Sequence, residues 1–296
     1  MSLVLQPSKT DRLIDSVFIT VLSVFGLATL FPLYYVVVMS VTPFIEVIQN
    51  GGFVLLPKSF TLEAYKQILS SVRIPRALGV TVILAVGGTF LNLLFTMLLA
   101  YPLSKRMIPG RNYVLFMIVF TMLFSGGLIP LYLIVNALGM NNTLWALIVP
   151  GLVSAFNMLI MKTYFEGLPE ELEEAARVDG CGELRTLFRI ILPLSMPIMA
   201  TLGLFYGINH WNTYFHAIMF ITDKELQPIQ VVLRSMIVTP NVSSELQLTN
   251  QFQAYRLPPE TMKMAAVVVT ILPIIVIYPF LQKHFMKGFL LGSIKG

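Results

Sequence analysis

Residues Glu170–Pro197 read EELEEAARVDGCGELRTLFRIILPLSMP. The first half is charged and the second turns apolar, ending on Pro193 and Pro197 at the mouth of a further oily run. Pro169 stands where the first turn of a helix tolerates it, and Glu170, Glu171, Glu173 and Glu174 crowd that turn, where the helix macrodipole favours anions. A short helix is therefore expected, with Glu173 and Arg177 four apart and able to pair. Ala175 and Ala176 give it a surface without bulk. Gly180 and Gly182 then allow a sharp turn before Leu184, Leu187, Phe188 and Ile191 begin a second helix that hugs an apolar surface. The reading is a protruding helix turned back on itself, although an amphipathic connector lying on lipid headgroups would share its composition.

The rest of the chain says where such a helix sits. Of 296 residues, 56% are hydrophobic and 12% charged, about half the charge of an ordinary soluble domain. The mean hydropathy is +0.79. Both values place the chain in a bilayer. A single cysteine, Cys181, excludes an internal disulfide framework, and His210, His216 and His284 are too scattered for a metal site. The net charge of +5 fits basic loops held at an anionic membrane face rather than nucleic acid.

Six apolar runs are long enough to cross about 30 Å of hydrocarbon: Leu13 to Met39, Ala77 to Leu103, Tyr113 to Leu138, Leu144 to Met161, Pro193 to Ile221 and Met264 to Leu281. The first exceeds a signal-peptide core and lacks a small-residue cleavage site, so it is expected to remain as a helix. Lys105, Arg106 and Arg111 crowd the second connection, Lys162, Arg177, Arg185 and Arg189 the fourth, and Lys283, Lys287 and Lys295 the tail. They fall on the same side as Lys9 and Arg12. Both termini and the opening stretch are thus expected in the cytoplasm of a multi-pass cell-membrane protein. Pro32, Pro130, Pro150, Pro197, Pro273 and Pro279 are expected to interrupt or start helices, and Gly87, Gly88, Gly126 and Gly127 to allow close packing. "SFTLEAYKQILSSV" (Ser59 to Val72) is weakly amphipathic and suits an outer membrane surface.

No Asp, Glu, Lys or Arg lies deep in any of these runs, so the buried charge that an ion-coupled carrier uses is not visible. Energy is expected from elsewhere. The chain has no phosphate-wrapping GxxxxGK[ST], and its "GCG" at Gly180 to Gly182 lacks the lysine and the preceding strand. Neither a nucleophile set nor a carboxylate pair offers itself, so no catalytic residue is expected.

Glu174, Ala175 and Ala176, three residues, Gly180, nine residues, Ile190, one residue, Leu192 and Pro193 spell EAA-x3-G-x9-I-x-LP. This resembles the cytoplasmic EAA loop of permease subunits of bacterial ATP-binding-cassette (ABC) importers. The span plan, the Asp179 and Gly180 pair, "HWNTYFHAIMFITDKELQPIQ" and the tail "GFLLGSIKG" are similar to the maltose-type carbohydrate permeases, in particular the six-span partner and those serving uronate-containing oligosaccharides. The resemblance implies an all-α integral membrane protein of the type I importer fold, one permease domain over residues 1–296, with a coupling loop at 167–192. It implies that Glu174, Ala175, Ala176, Asp179, Gly180, Ile190, Leu192 and Pro193 couple the chain to an ATPase. Pro193 would anchor the moving element to the fifth span. The implied partners are a second, homologous permease, two ATPase subunits that hold the ATP and Mg, and an extracytoplasmic binding protein that delivers an oligosaccharide. The loops Val41 to Arg76 and Thr222 to Lys263 would be the docking surface of that binding protein, and Gly292 to Gly296 a further ATPase contact.

Within the fifth run, Tyr206, Asn209, His210 and Thr213 share one helical face, and Trp211 lies beside them. Amide, imidazole and aromatic groups suit a sugar, so these residues are candidates to line its pathway. The alternative is that the polar groups bond neighbouring helices while Trp211 and Tyr214 sit in an interfacial belt, as isolated Asn92 and Asn157 would. His210, His216 and Arg234 would favour an anionic sugar near the outer mouth, with a solvated loop charge or a contact for a binding protein as the alternative for Arg234. A permease for a smaller solute such as glycerol phosphate or a disaccharide, a secondary carrier or channel, and a membrane-embedded enzyme remain the rival readings.

Overall fold

The computed structural model describes residues 9–238 and 259–292, with side chains over 13–238, 260–277 and 279. All regular structure in those residues is helical. The chain packs as two compact units, one of Met1–Ser71 with Met236–Val269, the other of Val72–Ser235 with Thr270–Gly296.

In the first unit α1 (Lys9–Val41) runs unbroken through Pro32, and two short helices follow, α2 (Phe44–Gln49) and α3 (Glu63–Ser70). Among the described residues most of α1 is exposed, and its last turns, with Val38 and Met39, pack against Val47, Val54 and Met264. Tyr35 stacks on Phe53 at 5.1 Å. The connection from α2 to α3 is held by Glu46, a buried carboxylate. Its Oε1 accepts the Lys58 N–H at 2.6 Å, and its Oε2 accepts the N–H and hydroxyl of Ser59, each at 3.3 Å. Three donors replace the water that burial removes, which is what lets a charge sit there.

The second unit is built around α4 (Arg73–Ser104), a 32-residue apolar helix with a π-turn at Leu84–Gly88. Three bent pairs follow. They are α5 (Arg111–Leu123) with α6 (Leu128–Ala137), bent by 116°; α7 (Trp145–Gly151) with α8 (Ala155–Glu166), bent by 52°; and α10 (Glu183–Leu194) with α11 (Met196–Trp211), bent by 84°. Between the second and third pairs lies α9 (Glu171–Val178), and α12 (Phe215–Phe220) follows the third. The helices α13 (Ile229–Val238) and α14 (Pro259–Gly292) contribute to both units.

By length and composition three helices among the described residues can cross a membrane unaided, Leu13–Val41, Arg73–Ser104 and Glu260–Ile277, and the number is six if each bent pair is one span. The six runs read from the sequence thus recur, but three of them are not continuous helices. The run Tyr113 to Leu138 breaks at Phe124–Gly127, where Gly127 takes φ +87° and the Ser125 hydroxyl accepts its N–H at 3.2 Å. The run Pro193 to Ile221 breaks twice, at Ser195 between two prolines and again after Trp211. Pro273 and Pro279 stay inside α14 as Pro32 does inside α1, so proline alone does not break these helices; the three bends within the pairs lie where proline meets a glycine or a second proline, and the break after Trp211 has neither.

Two apolar clusters occupy the second unit. One joins Val80 and Leu84 of α4 to Val135, Ile148, Ala217 and Phe220. The other joins Met97, Ala100 and Leu103 of α4 to Met158, Met161, Phe165, Leu187, Ile191 and Leu202. Between them α4 carries Asn92 and Thr96, both fully buried.

Candidate functional site

The helix α9 ends in a Schellman cap. Asp179 is the C-cap, Gly180 follows at φ +74°, the Gly180 N–H donates to the Arg177 carbonyl at 3.0 Å, and the Cys181 N–H reaches back to the Ala176 carbonyl at 2.9 Å. A Cβ on Gly180 would meet open space, so glycine is demanded by the backbone alone. Gly182 has ordinary extended geometry and serves as N-cap of α10. Of the EAA residues, Ala176 is buried against the protein while Glu174 and Ala175 are exposed, and so is Asp179. Within the motif the protruding helix rests on Ala176 and presents Glu174, Ala175 and Asp179 outward, while Leu172 and Glu173 are half-buried.

The expected pair of Glu173 with Arg177 does not form. Glu173 instead meets Lys105, at the end of α4, and Arg177 reaches Glu183 at 3.3 Å. Lys105 sits over the Tyr101 ring at 4.3 Å from its centre, and the Tyr101 hydroxyl donates to Glu183 at 3.2 Å. The reason is reach: an exposed pair within one helix is worth a few tenths of a kcal/mol, whereas Lys105 offers Glu173 a partly buried partner backed by an aromatic face. The helix α9 is thereby bracketed from the end of α4, directly at Glu173 and through Glu183 of α10 at Arg177. Next to this bracket Arg111 pairs with Glu166 and donates its Nε to the Leu103 carbonyl at 2.8 Å, and Lys162 meets Glu166 at 2.8 Å. A cavity of about 790 Å³ opens beneath α9, walled by Tyr101, Lys105, Glu166, Glu173, Arg177 and Glu183 among others.

Downstream of α9, Ile190 and Leu192 are half-buried and Pro193 is exposed, while Leu187 and Ile191 enter the core. The Leu187–Ile191 segment is a π-turn, which shifts the buried face by one position. After it, Ser195 forms the elbow to α11. Its N–H donates to the Ile191 carbonyl at 2.9 Å, and its buried hydroxyl has no hydrogen-bond partner among the described residues.

The second candidate group lies in the polar layer of α4. Tyr206, His210 and Trp211 are all buried, at 3%, 4% and 6% exposure, and their polar atoms are used within the chain. The His210 Nε2 lies 2.6 Å from Asn92 Oδ1, and Asn92 gives its Nδ2 hydrogens to the carbonyls of Gly151 at 2.7 Å and Leu152 at 2.8 Å. With the amide so committed, Oδ1 accepts and His210 donates from Nε2. The Tyr206 hydroxyl lies 2.8 Å from the Thr96 hydroxyl and accepts the Ser154 N–H at 3.2 Å. Trp211 donates Nε1–H to the Thr270 carbonyl at 3.3 Å. Asn209 is exposed, and Thr213 is half-buried with its hydroxyl on the Asn209 carbonyl at 3.2 Å. The common face expected of Tyr206, Asn209, His210 and Thr213 thus divides: Tyr206 and His210 bond other helices, and Asn209 is left to the surface. Asn92, Thr96 and Ser154 complete the arrangement, and of these the sequence had singled out Asn92 alone. Bonds between helices of this kind contribute on average about 0.6 kcal/mol, but an unmet carbonyl in hydrocarbon costs several times that. The larger effect is the satisfaction of the backbone freed at the break between α7 and α8.

Comparison with known proteins adds four findings. Residues 93–290 match the family described as binding-protein-dependent transport system inner membrane component. Protein LplC of Bacillus subtilis (strain 168) is 44% identical over 291 residues, covering 98% of this chain and 97% of its own length. The polygalacturonan/rhamnogalacturonan transport system permease protein YtcP of the same organism is 43% identical over 288 residues, covering 97% and 99%. Among solved structures, a bacterial ABC transporter involved in the import of the acidic polysaccharide alginate matches with a TM-score of 0.86 at 34% identity, over 94% of this chain and 98% of that one.

Proposed function

Because the chain belongs to the inner membrane components of binding-protein-dependent transport systems, we propose that it is the permease subunit of an ATP-driven importer for acidic oligosaccharides cut from a polysaccharide. The observation that carries the coupling role is α9, a capped helix with Glu174, Ala175 and Asp179 turned outward, on the EAA-x3-G-x9-I-x-LP pattern. It docks in a cleft of a separate ATPase subunit, and a second homologous permease and a second ATPase complete the assembly. ATP and Mg are held by the ATPases, whose closure draws the paired coupling helices together and rocks the spans between inward-facing and outward-facing states. Both termini and α9 lie in the cytoplasm, and an extracytoplasmic binding protein presents the sugar to the opposite face. The acidic substrate class follows the relatives, one serving polygalacturonan and rhamnogalacturonan and one alginate. Asn209, the exposed member of the α11 polar group, is the residue of that group left to line the pathway.

The test is a pull-down of the tagged, detergent-solubilised chain, comparing wild type with Gly180→Asp. Recovery of a second permease and an ATPase, with the ATPase lost in the variant, is the expected result. Recovery of the chain alone in both forms overturns the importer reading in favour of a carrier or channel. Uptake of labelled oligogalacturonate, competed by unlabelled oligomer but not by glycerol phosphate or a disaccharide, tests the substrate class.

A further inference from the structure

The break between α7 and α8 lies directly upstream of the coupling helix, since α8 runs into α9 through only a short turn. A broken helix in a moving part is ordinarily a place where motion is absorbed. Here the break is held from two sides. Asn92 and Thr96 stand four apart on α4, and Tyr206 and His210 stand four apart on α11, so the pairs Asn92 with His210 and Thr96 with Tyr206 form two antiparallel rungs. Each rung also grips the break, Asn92 through the Gly151 and Leu152 carbonyls and Tyr206 through the Ser154 N–H.

We propose that Asn92, with Tyr206 as the second rung, is a positioning residue that makes this joint rigid, so that α4, α8 and α11 move as one body and displacement of α9 reaches the far half of the chain. The proposal rests on the permease reading. It assigns coupling to a residue remote in sequence from the EAA pattern and contacting neither ATPase nor sugar.

The experiment uses the complete assembly, copurified with its ATPase and reconstituted in lipid nanodiscs. Cys181, the sole thiol of this chain, is replaced by serine, and Phe215→Cys on α12, an exposed position, becomes the reporter, its labelling read on this chain after separation from the other subunits. The rate of its reaction with a polar maleimide is measured with and without ATP, Mg and vanadate, alongside ATP hydrolysis. The wild-type background is expected to change its labelling rate at least threefold on trapping. In Asn92→Leu, His210→Leu and Tyr206→Phe that change is expected to vanish while hydrolysis stays within twofold of wild type. His210→Gln, which restores an N–H donor, is expected to recover it. Tyr206→Phe removes a single hydroxyl and keeps the test decisive if the leucine variants fold poorly. A wild-type response that survives in all three loss variants overturns the rigid joint and leaves the permease reading intact. A wild-type background indifferent to ATP overturns the permease reading and this proposal with it.

Discussion

Gly88 and His210 exclude each other's side chains: a Cβ placed on Gly88 would lie 2.6 Å from the His210 Nε2 and 2.7 Å from its Cε1. The imidazole cannot retreat, because Asn92 holds Nε2 and the ring is buried. Gly88→Ala is therefore expected to destabilise the chain by about 1–3 kcal/mol, the usual cost of overpacking a core. A thermal unfolding midpoint in detergent equal to wild type would contradict this. Gly87, with open space around it, serves as the control and should accept alanine with little change.

Gly180 separates backbone demand from crowding. Its φ of +74° penalises an L side chain, yet a Cβ would meet nothing. Gly180→Ala should fray the end of α9 at a cost of about 1–2 kcal/mol, and Gly180→Asn, better tolerated in this conformation, should cost less. Hydrogen exchange at the Cys181 amide, which donates to the Ala176 carbonyl, reads the cap directly. The expected order of exchange rates is glycine slowest, then asparagine, then alanine, and equal rates for all three would remove the cap from the account of the motif.

The bracket on α9 makes a charge prediction. Lys105→Glu and Glu173→Lys should each loosen α9 and lower ATP-driven uptake, and the double variant should recover much of the loss. The two side chains are 22% and 16% exposed, so the pair is expected to exceed the typical surface value of about 0.2–1 kcal/mol. A double-mutant cycle in unfolding free energy measures it. Strict additivity would mean that the contact contributes nothing.

Glu46 organises a loop through backbone donors, a role no motif announces. Glu46→Gln places an N–H₂ group against the N–H groups of Lys58 and Ser59, leaving at least one of them unmet. The expected loss is about 1.5–3 kcal/mol of local stability, the range for hydrogen bonds to a charged acceptor. Limited proteolysis between Gly51 and Ser59 should accelerate in the variant, and an unchanged cleavage rate would show that the loop is held by Tyr34, whose hydroxyl bonds the Leu55 carbonyl at 2.6 Å, and not by Glu46.

Much of this was readable from residue order. Long apolar runs, the glutamates ahead of Ala175 and the glycine beyond them give the helices and the α9 turn, because those signals are local. The bends at Phe124–Gly127 and Ser195 were not, since hydropathy sees a continuous oily run on both sides of each break. The fate of Tyr206 and His210 was read only as the alternative to pathway lining. Their partners Thr96 and Asn92 lie over a hundred residues away, so helical spacing could place them on one face but could not say what that face meets. For the same reason Lys105 was read as a sign of orientation, when its ammonium also secures Glu173.

The dependence of the α7–α8 break on Asn92 has a consequence for how the protein is made. Residue 92 leaves the ribosome well before residues 151 and 152, so the amide that their carbonyls require is in the bilayer before they arrive. Tyr206 and His210 come later and close the arrangement after the break has already found its first partner. Had the donor lain downstream, the half-formed chain would have carried two bare carbonyls into lipid with nothing to receive them. The order of synthesis thus matches the order of need, and a nascent chain truncated after α8 should already hold its fourth span in the native bend.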